Sequence, residues 1–101
     1  MAVTKYSVEY LQTAMDELAG IVAYYSQFSE ETVTGFLNEL QEMEYALSLT
    51  PYAHTIRKNG SRRANFNIYP YFVSYRIQEL EKRIIITGVQ PKRSDPNAQH
   101  P

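Results

Sequence analysis

The 101-residue chain changes its hydrophobic period near the middle, and that change limits what it can fold into more than any other feature. Up to Leu47 the apolar residues recur every three or four positions; from Arg62 onward they alternate. Successive side chains of a strand point to opposite faces. Ala64, Phe66 and Ile68 therefore fall on one side, and Arg63, Asn65 and Asn67 on the other. Past a turn at Tyr69-Pro70, the residues Tyr71, Val73, Tyr75 and Ile77 continue the core side, while Phe72, Ser74 and Arg76 take the opposite one. The polar run Gln78 to Lys82 supplies the next turn, and Arg83 to Gln90 a further strand rich in β-branched residues. Three consecutive isoleucines, Ile84 to Ile86, predict that this last strand is central and covered on both faces.

The first half reads differently. Val3 to Val8 is a short strand with Tyr6 and Val8 on one side. Leu11, Ala14, Met15, Leu18, Ile21, Val22, Tyr25 and Phe28 then form the apolar stripe of an amphipathic helix from about Glu9 to about Phe28. Ser29 is placed to cap a second helix, with Glu30 and Glu31 in the first turn, where exposed amides favour negative charge. Its stripe is Val33, Phe36, Leu37, Leu40, Met43 and Leu47, and Thr50-Pro51 ends it, since the residue before proline is pushed out of helical geometry. Glu39, Glu42 and Glu44 read as its solvated outer face. Tyr52 to Arg57 is expected to add another strand, and Lys58-Asn59-Gly60-Ser61 is a turn signal. The expected architecture is α+β: a strand, an antiparallel helical hairpin, then a three- to four-stranded antiparallel sheet with the hairpin on one face. Residues 1–93 form a single domain and 94–101 a loose tail. The expected core includes Leu18, Ile21, Phe36, Leu40, Phe66, Val73, Tyr75 and Ile86.

Composition removes several function classes. There is no cysteine, so disulfides and thiolate metal sites are excluded, and His54 and His100 alone do not make a zinc site. The four glycines are scattered, and no phosphate loop, dinucleotide fingerprint or catalytic triad can be traced. No cofactor and no metal are expected. No apolar run approaches the roughly 20 residues that span a bilayer, so the reading is of a cytoplasmic chain without a membrane partner. The net charge of −1 hides a split. Residues 1–56 hold one lysine against eight acids, whereas 57–101 hold nine lysines and arginines against three. Either the halves neutralise each other in the fold, or the second half faces an acidic or polyanionic partner.

The basic cluster is Arg57, Lys58, Arg62, Arg63, Arg76, Arg83, Lys92 and Arg93, interleaved with Tyr69, Tyr71, Phe72 and Tyr75. Guanidinium and ammonium groups bind phosphates and stabilise charge developing in a phosphoryl transition state, and exposed aromatics stack on unpaired bases. Tyr71 and Tyr75 keep register with Val73 and Ile77, which assigns them to the core instead. Arg62 and Arg63 can equally protect an edge strand from unwanted pairing. The candidate target- or RNA-binding residues are Arg62, Arg63, Arg76, Lys92 and Arg93; of these, Arg63, Lys92 and Arg93 are the catalytic candidates.

Taken in order, these pieces resemble one family. Tyr6-x-Val8, the pair Tyr24-Tyr25, Phe36 with Leu40, the helix-ending Pro51, Arg62-Arg63, the segment from Tyr69 to Ile77 and an isoleucine-rich last strand ending in Lys92-Arg93 look like the RelE/ParE superfamily of bacterial toxins. The resemblance implies the toxin of a type II toxin-antitoxin pair, a plasmid-stabilisation and growth-inhibition module held inactive by a cognate antitoxin. It also implies operator DNA binding by the complex through the antitoxin. Endonuclease members cleave messenger on the ribosome with a Lys and Arg cluster, onto which Arg63 and Lys92 or Arg93 would map. Phe72 stands where those members carry an arginine, and His100 is the only histidine or tyrosine near the carboxy terminus. The ParE-like branch, associated with DNA gyrase, ends its last strand in His-x-Arg-Arg; here the residues are Gln90-Pro91-Lys92-Arg93. The expectation is a ParE-like toxin acting on a target such as gyrase. The alternatives are a ribosome-dependent mRNA endonuclease and a non-toxic relative that only binds the antitoxin and regulates its operon.

Overall fold

The computed structural model describes residues 5–92, so Arg93 and the 94–101 tail lie outside the described residues, as does the start of the expected first strand. The elements are β1 (Ser7–Tyr10), α1 (Gln12–Ser26), α2 (Glu30–Leu49), a 3-10 turn (Pro51–Ala53), β2 (Arg62–Asn65), β3 (Tyr71–Gln78) and β4 (Arg83–Pro91). The four strands form one sheet in the order β1-β4-β3-β2. β2, β3 and β4 make an antiparallel meander, and β1 joins β4 in parallel. A parallel neighbour needs a crossover connection, and the chain between β1 and the meander holds both helices.

The helical hairpin covers one sheet face. Ser29 caps α2 as its sequence predicts, its hydroxyl accepting from the Thr32 amide at 3.1 Å. Phe36 and Leu40 of α2 are buried against Phe66, Val73, Tyr75, Ile84 and Ile86 of the sheet, with Leu18 half-buried at the margin. Phe36 lies stacked on Phe66, ring centroids 5.0 Å apart. Tyr75 is fully buried, and its hydroxyl donates to the Pro51 carbonyl at 2.7 Å, so the core satisfies the polar group it encloses. A register shift in β4 opposite Ser74 and Tyr75 keeps Ile84, Ile86 and Val89 on the core side. Strict alternation would have turned Val89 away.

Several expectations are corrected. Glu9 and Tyr10 belong to β1, not to α1, because pairing with Ile85 and Ile86 extends the strand. α1 stops at Ser26, leaving Phe28 largely exposed. Tyr52 to Arg57 is not a strand: proline starts a 3-10 turn, and only Ile56 bridges to Arg62. Ile68 is 80% exposed rather than core. β2 ends at Asn65, and just beyond it the carboxylate of Glu39 accepts from the backbone amides of Asn67 and Ile68, the latter of which would otherwise face β3. Glu39 is therefore buried and structural, and Glu44 is half-buried and accepts from Tyr10; only Glu42 of the three lies on a solvated face. β4 is central, but Ile85 on its outer face is only half-buried, so the second face of the sheet carries no covering layer among the described residues.

Candidate functional site

The uncovered face is set by the same alternation that builds the core. Arg63 of β2 stands opposite Ser74, and Phe72, Ser74, Arg76 and Gln78 of β3 share that face. Phe72, the apolar residue that interrupts it, is only 6% exposed because the Arg63 guanidinium lies over its ring, 3.9 Å from the centroid. The cation covers the aromatic and is itself held flat. No base could stack on Phe72 without displacing Arg63.

Arg76 reaches across the meander and donates from Nη2 to the Asn59 carbonyl. That carbonyl belongs to the tight turn in which Gly60 adopts φ +85°, a left-handed conformation that suits glycine, with the Gly60 amide bonded to the Arg57 carbonyl at 2.9 Å. Lys92 donates its amide to the Pro70 carbonyl at 2.9 Å and its ammonium to the Phe66 carbonyl at 2.6 Å. Arg62 points the other way: its guanidinium donates to the His54 carbonyl at 2.6 Å and lies over the Tyr52 ring, toward the helical side. The sequence candidates thus divide. Arg63 and Arg76 come together on the open face, Lys92 closes the far end of the meander, Arg62 leaves the site, and Arg93 lies outside the described residues.

The fold adds two residues to the site. Arg57 and Lys58 join Arg63 around a cleft of about 630 Å³ lined also by Thr55, Ile56 and Asn59, with no acidic residue in its wall. The sequence counts both in the basic cluster but does not place them beside Arg63. The Arg57 amide to Ser61 carbonyl bond, 2.8 Å, folds them back beside β2.

Apart from Lys58, Lys92 and the Tyr24 and Tyr71 that line a cleft with Lys92, the groups that could move a proton are elsewhere. His54 packs edge-on against Tyr75 in the layer facing the helices. Burial pushes the Tyr75 hydroxyl up to about 12, and burial with its Tyr71 neighbour does the same for Tyr25. Burial and the Glu44 carboxylate also raise Tyr10. Tyr6 and Tyr52 donate to Glu79 at 2.7 and 2.6 Å at the β3–β4 turn. Hydrogen bonds from Lys82, Tyr52 and Tyr6 hold that exposed carboxyl at about 2.

The charge split is only slightly neutralised among the described residues. Among the described residues the ion pairs are Lys82 with Glu79 and Arg83 with Glu9, neither of which involves Arg57, Lys58, Arg63 or Arg76. No three acids and histidines converge as a metal site among those residues, and no helix there is long and apolar enough to cross a membrane.

A parallel β1, a helical hairpin and an antiparallel meander carrying a basic open face define the RelE/ParE type of α+β fold, and comparison with solved structures gives the same class. The chain resembles a chain of the chromosomal ParDE TA system from P. aeruginosa, with a TM-score of 0.74 at 17% identity over 89% of this chain and 99% of that one. It also resembles the toxin-antitoxin complex RelBE2 from Mycobacterium tuberculosis, with a TM-score of 0.59 at 19% identity over 93% of this chain and 98% of that one. The isolated E. coli RelE toxin gives a TM-score of 0.60 at 12% identity, covering 93% of this chain and 92% of that chain. No protein-family model and no curated protein sequence matches the chain.

Proposed function

We propose that this chain is the toxin of a type II toxin-antitoxin pair of the ParE-like kind, which arrests growth by binding an essential protein target such as DNA gyrase and is neutralised by a cognate antitoxin. The observation that carries the reading is the chemistry of the open face. Arg63, Arg76 and Lys92 are fixed by an aromatic ring and by backbone carbonyls. RNA cleavage must deprotonate the 2′-hydroxyl and protonate the leaving oxygen, so it needs proton carriers as well as charge. Arginine does not exchange its proton in proteins, so of these three only Lys92 could carry one, and its ammonium is tied to the Phe66 carbonyl at the far end of the meander, while His54 packs on the helical side. The surface is suited to holding a charged partner rather than transforming one. The nearer likeness to the ParDE chain than to the RelE structures supports the same branch.

The test is induced expression followed by two parallel measurements, primer extension on messenger and a gyrase supercoiling assay with purified protein. Growth arrest with loss of supercoiling and intact messenger is expected. Relief of arrest by a co-expressed product of an adjacent small reading frame would identify the antitoxin. Codon-phased cleavage that disappears in Arg63→Ala, with supercoiling untouched, would replace this reading by the ribosome-dependent endonuclease. Absence of arrest, with a stable partner complex, would leave the chain as a non-toxic operon regulator.

A further inference from the structure

β1 pairs with β4 only as far as Ile86, so the last residues of β4 run on beside α1 instead of beside a strand. Backbone pairing is closed off there: the Glu17 carboxylate accepts from the Val89 amide at 2.9 Å, and Pro91 has no amide to give. Between α1 and the end of β4 lies a cleft of about 720 Å³. Ile21, Tyr24, Tyr71, Val89 and Pro91 give it apolar walls. The Tyr24 side chain is 53% exposed and meets the exposed Phe28 ring edge-on, centroids 5.2 Å apart, so the apolar surface continues outside the cleft. Exposed aromatics grouped in this way are the usual anchors of protein contacts. Gly20, which also lines the cleft, is not explained by the fold. It sits inside α1, where glycine is disfavoured. A Cβ there would meet nothing within 4 Å, so no close approach requires the glycine, yet its missing side chain keeps the cleft wide.

The polar groups of the cleft fix the charge of what it takes. Glu17 is already satisfied, one oxygen accepting from the Val89 amide and the other from the Gln90 side chain at 3.1 Å. Lys92 donates to a neutral group, the Phe66 carbonyl at 2.6 Å, and no carboxylate balances its charge among the described residues. The cleft therefore calls for an apolar body and a single negative charge. We propose that it is the docking site for a segment of a partner protein that carries one large apolar side chain next to one acidic residue. The apolar side chain lies against Tyr24 and Tyr71, and the acid pairs with Lys92. This rests on the reading that the chain acts by binding a protein, and it names a contact distinct from the cations of the open face. A nucleic acid fits less well. Its successive phosphates would meet one cation here and then Asp16 and Glu17 of α1, a helix without lysine or arginine.

The experiment is a titration of the full chain with a blocked Gly-Phe-Glu-Gly peptide, read by amide-resolved NMR. Saturable shifts are expected at Gly20 and Gln90 and not at Arg63 or Arg76. Replacing the peptide's Phe by Ala should weaken binding by about tenfold or more, the scale of burying one aromatic side chain. Replacing its Glu by Gln should weaken binding by about two- to fivefold, the range of a solvent-exposed ion pair. Gly20→Leu fills the cleft from α1 and should cut affinity by about tenfold, while its urea midpoint stays at or above the parent's, since leucine is the better helix former. Should Gly20→Leu fail to fold, Tyr24→Ala, which removes an exposed ring, decides by the same loss. Absence of saturable shifts would overturn the proposal. So would equal binding by the Ala peptide or by Gly-Phe-Lys-Gly, or unchanged affinity in folded Gly20→Leu. A single-stranded RNA that competes at Gly20 would assign the cleft to nucleic acid, and shifts there that grow with protein concentration alone would assign it to a second copy; either overturns the proposal. Growth arrest tests the toxin reading separately. Arrest by a chain that binds no peptide overturns the cleft alone, and peptide binding without arrest overturns the toxin reading alone.

Discussion

Glu39 is the residue whose replacement tests the fold most sharply, because a solvated helix face and a strand terminator predict opposite outcomes for it. Its carboxylate is 9% exposed and accepts from two backbone amides, those of Asn67 and Ile68. Hydrogen bonds to a charged group are each worth about 1.5–3 kcal/mol, and an amide left unsatisfied in the interior costs about 1–3 kcal/mol. Both donors sit on residues that are themselves exposed, so water can reach the freed amides and the cost falls toward the lower end. Glu39→Ala is therefore expected to destabilise the chain by about 2–3 kcal/mol. Glu39→Gln keeps one acceptor oxygen and should cost about half as much. The measurement is urea unfolding, with the midpoint shift read at constant slope. A loss below about 0.5 kcal/mol in Glu39→Ala, the range of an ordinary surface substitution, would show that the carboxylate does not end β2.

Three further outcomes follow from particular contacts. Leu40→Ala, at a site 4% exposed, should cost roughly 2–5 kcal/mol in the same unfolding experiment, and an unchanged midpoint would mean that α2 presents a different face. The helix glycines should split. Gly20→Ala meets nothing within 4 Å and should stabilise by about 0.5–1 kcal/mol, whereas a Cβ at Gly35 would stand 2.3 Å from the Tyr69 hydroxyl. There the lost bond to the Thr32 carbonyl and the repacked ring should outweigh the helix gain, by about 1–2 kcal/mol; equal effects at both sites would refute the packing. Glu79, with its folded value lowered to about 2 from 4.5, contributes stability that is complete above the unfolded value and is lost as pH falls toward about 2. In Glu79→Gln that part of the acid sensitivity should be missing from melting curves recorded between those limits, and a parallel acid profile would refute the assignment.

The sequence carries the layers well and the strand ends poorly, for a physical reason. Alternation from Tyr71 to Ile77 and the stripe through Phe36, Leu40 and Leu47 each report burial, which repeats along an element and can be counted. The ends of elements depend on single long-range bonds. Nothing near Ile68 in the chain announces that Glu39 will claim its amide, so an apolar residue in perfect register is left in solvent. Likewise the alternation Tyr6, Val8, Tyr10 runs straight into the helical stripe at Leu11, and only pairing with β4 decides that Tyr10 stays in the strand. At the site, Arg63 and Arg76 are legible from face alternation alone. The same alternation puts Arg62 on the side of Ala64, where it donates to the His54 carbonyl, but the joining of Arg57 and Lys58 to Arg63 depends on a turn closing in space.

The same contacts bear on why the acidic and basic halves coexist in one small chain without cancelling. Among the described residues the acids of the helices form no ion pair with Arg57, Lys58, Arg63 or Arg76. Charges that are not paired gain little from each other, whereas the clustered cations repel one another on their own surface. A partner that brings acids to that face relieves the repulsion, so its binding free energy adds to the stability of the folded chain by mass action. The attraction weakens with salt, since these groups are exposed and screened over roughly 8–10 Å. A complex that also buries apolar surface would lose affinity as salt rises and then level off, while one held by charge alone would continue to weaken, so a salt titration of the partner complex separates the two contributions.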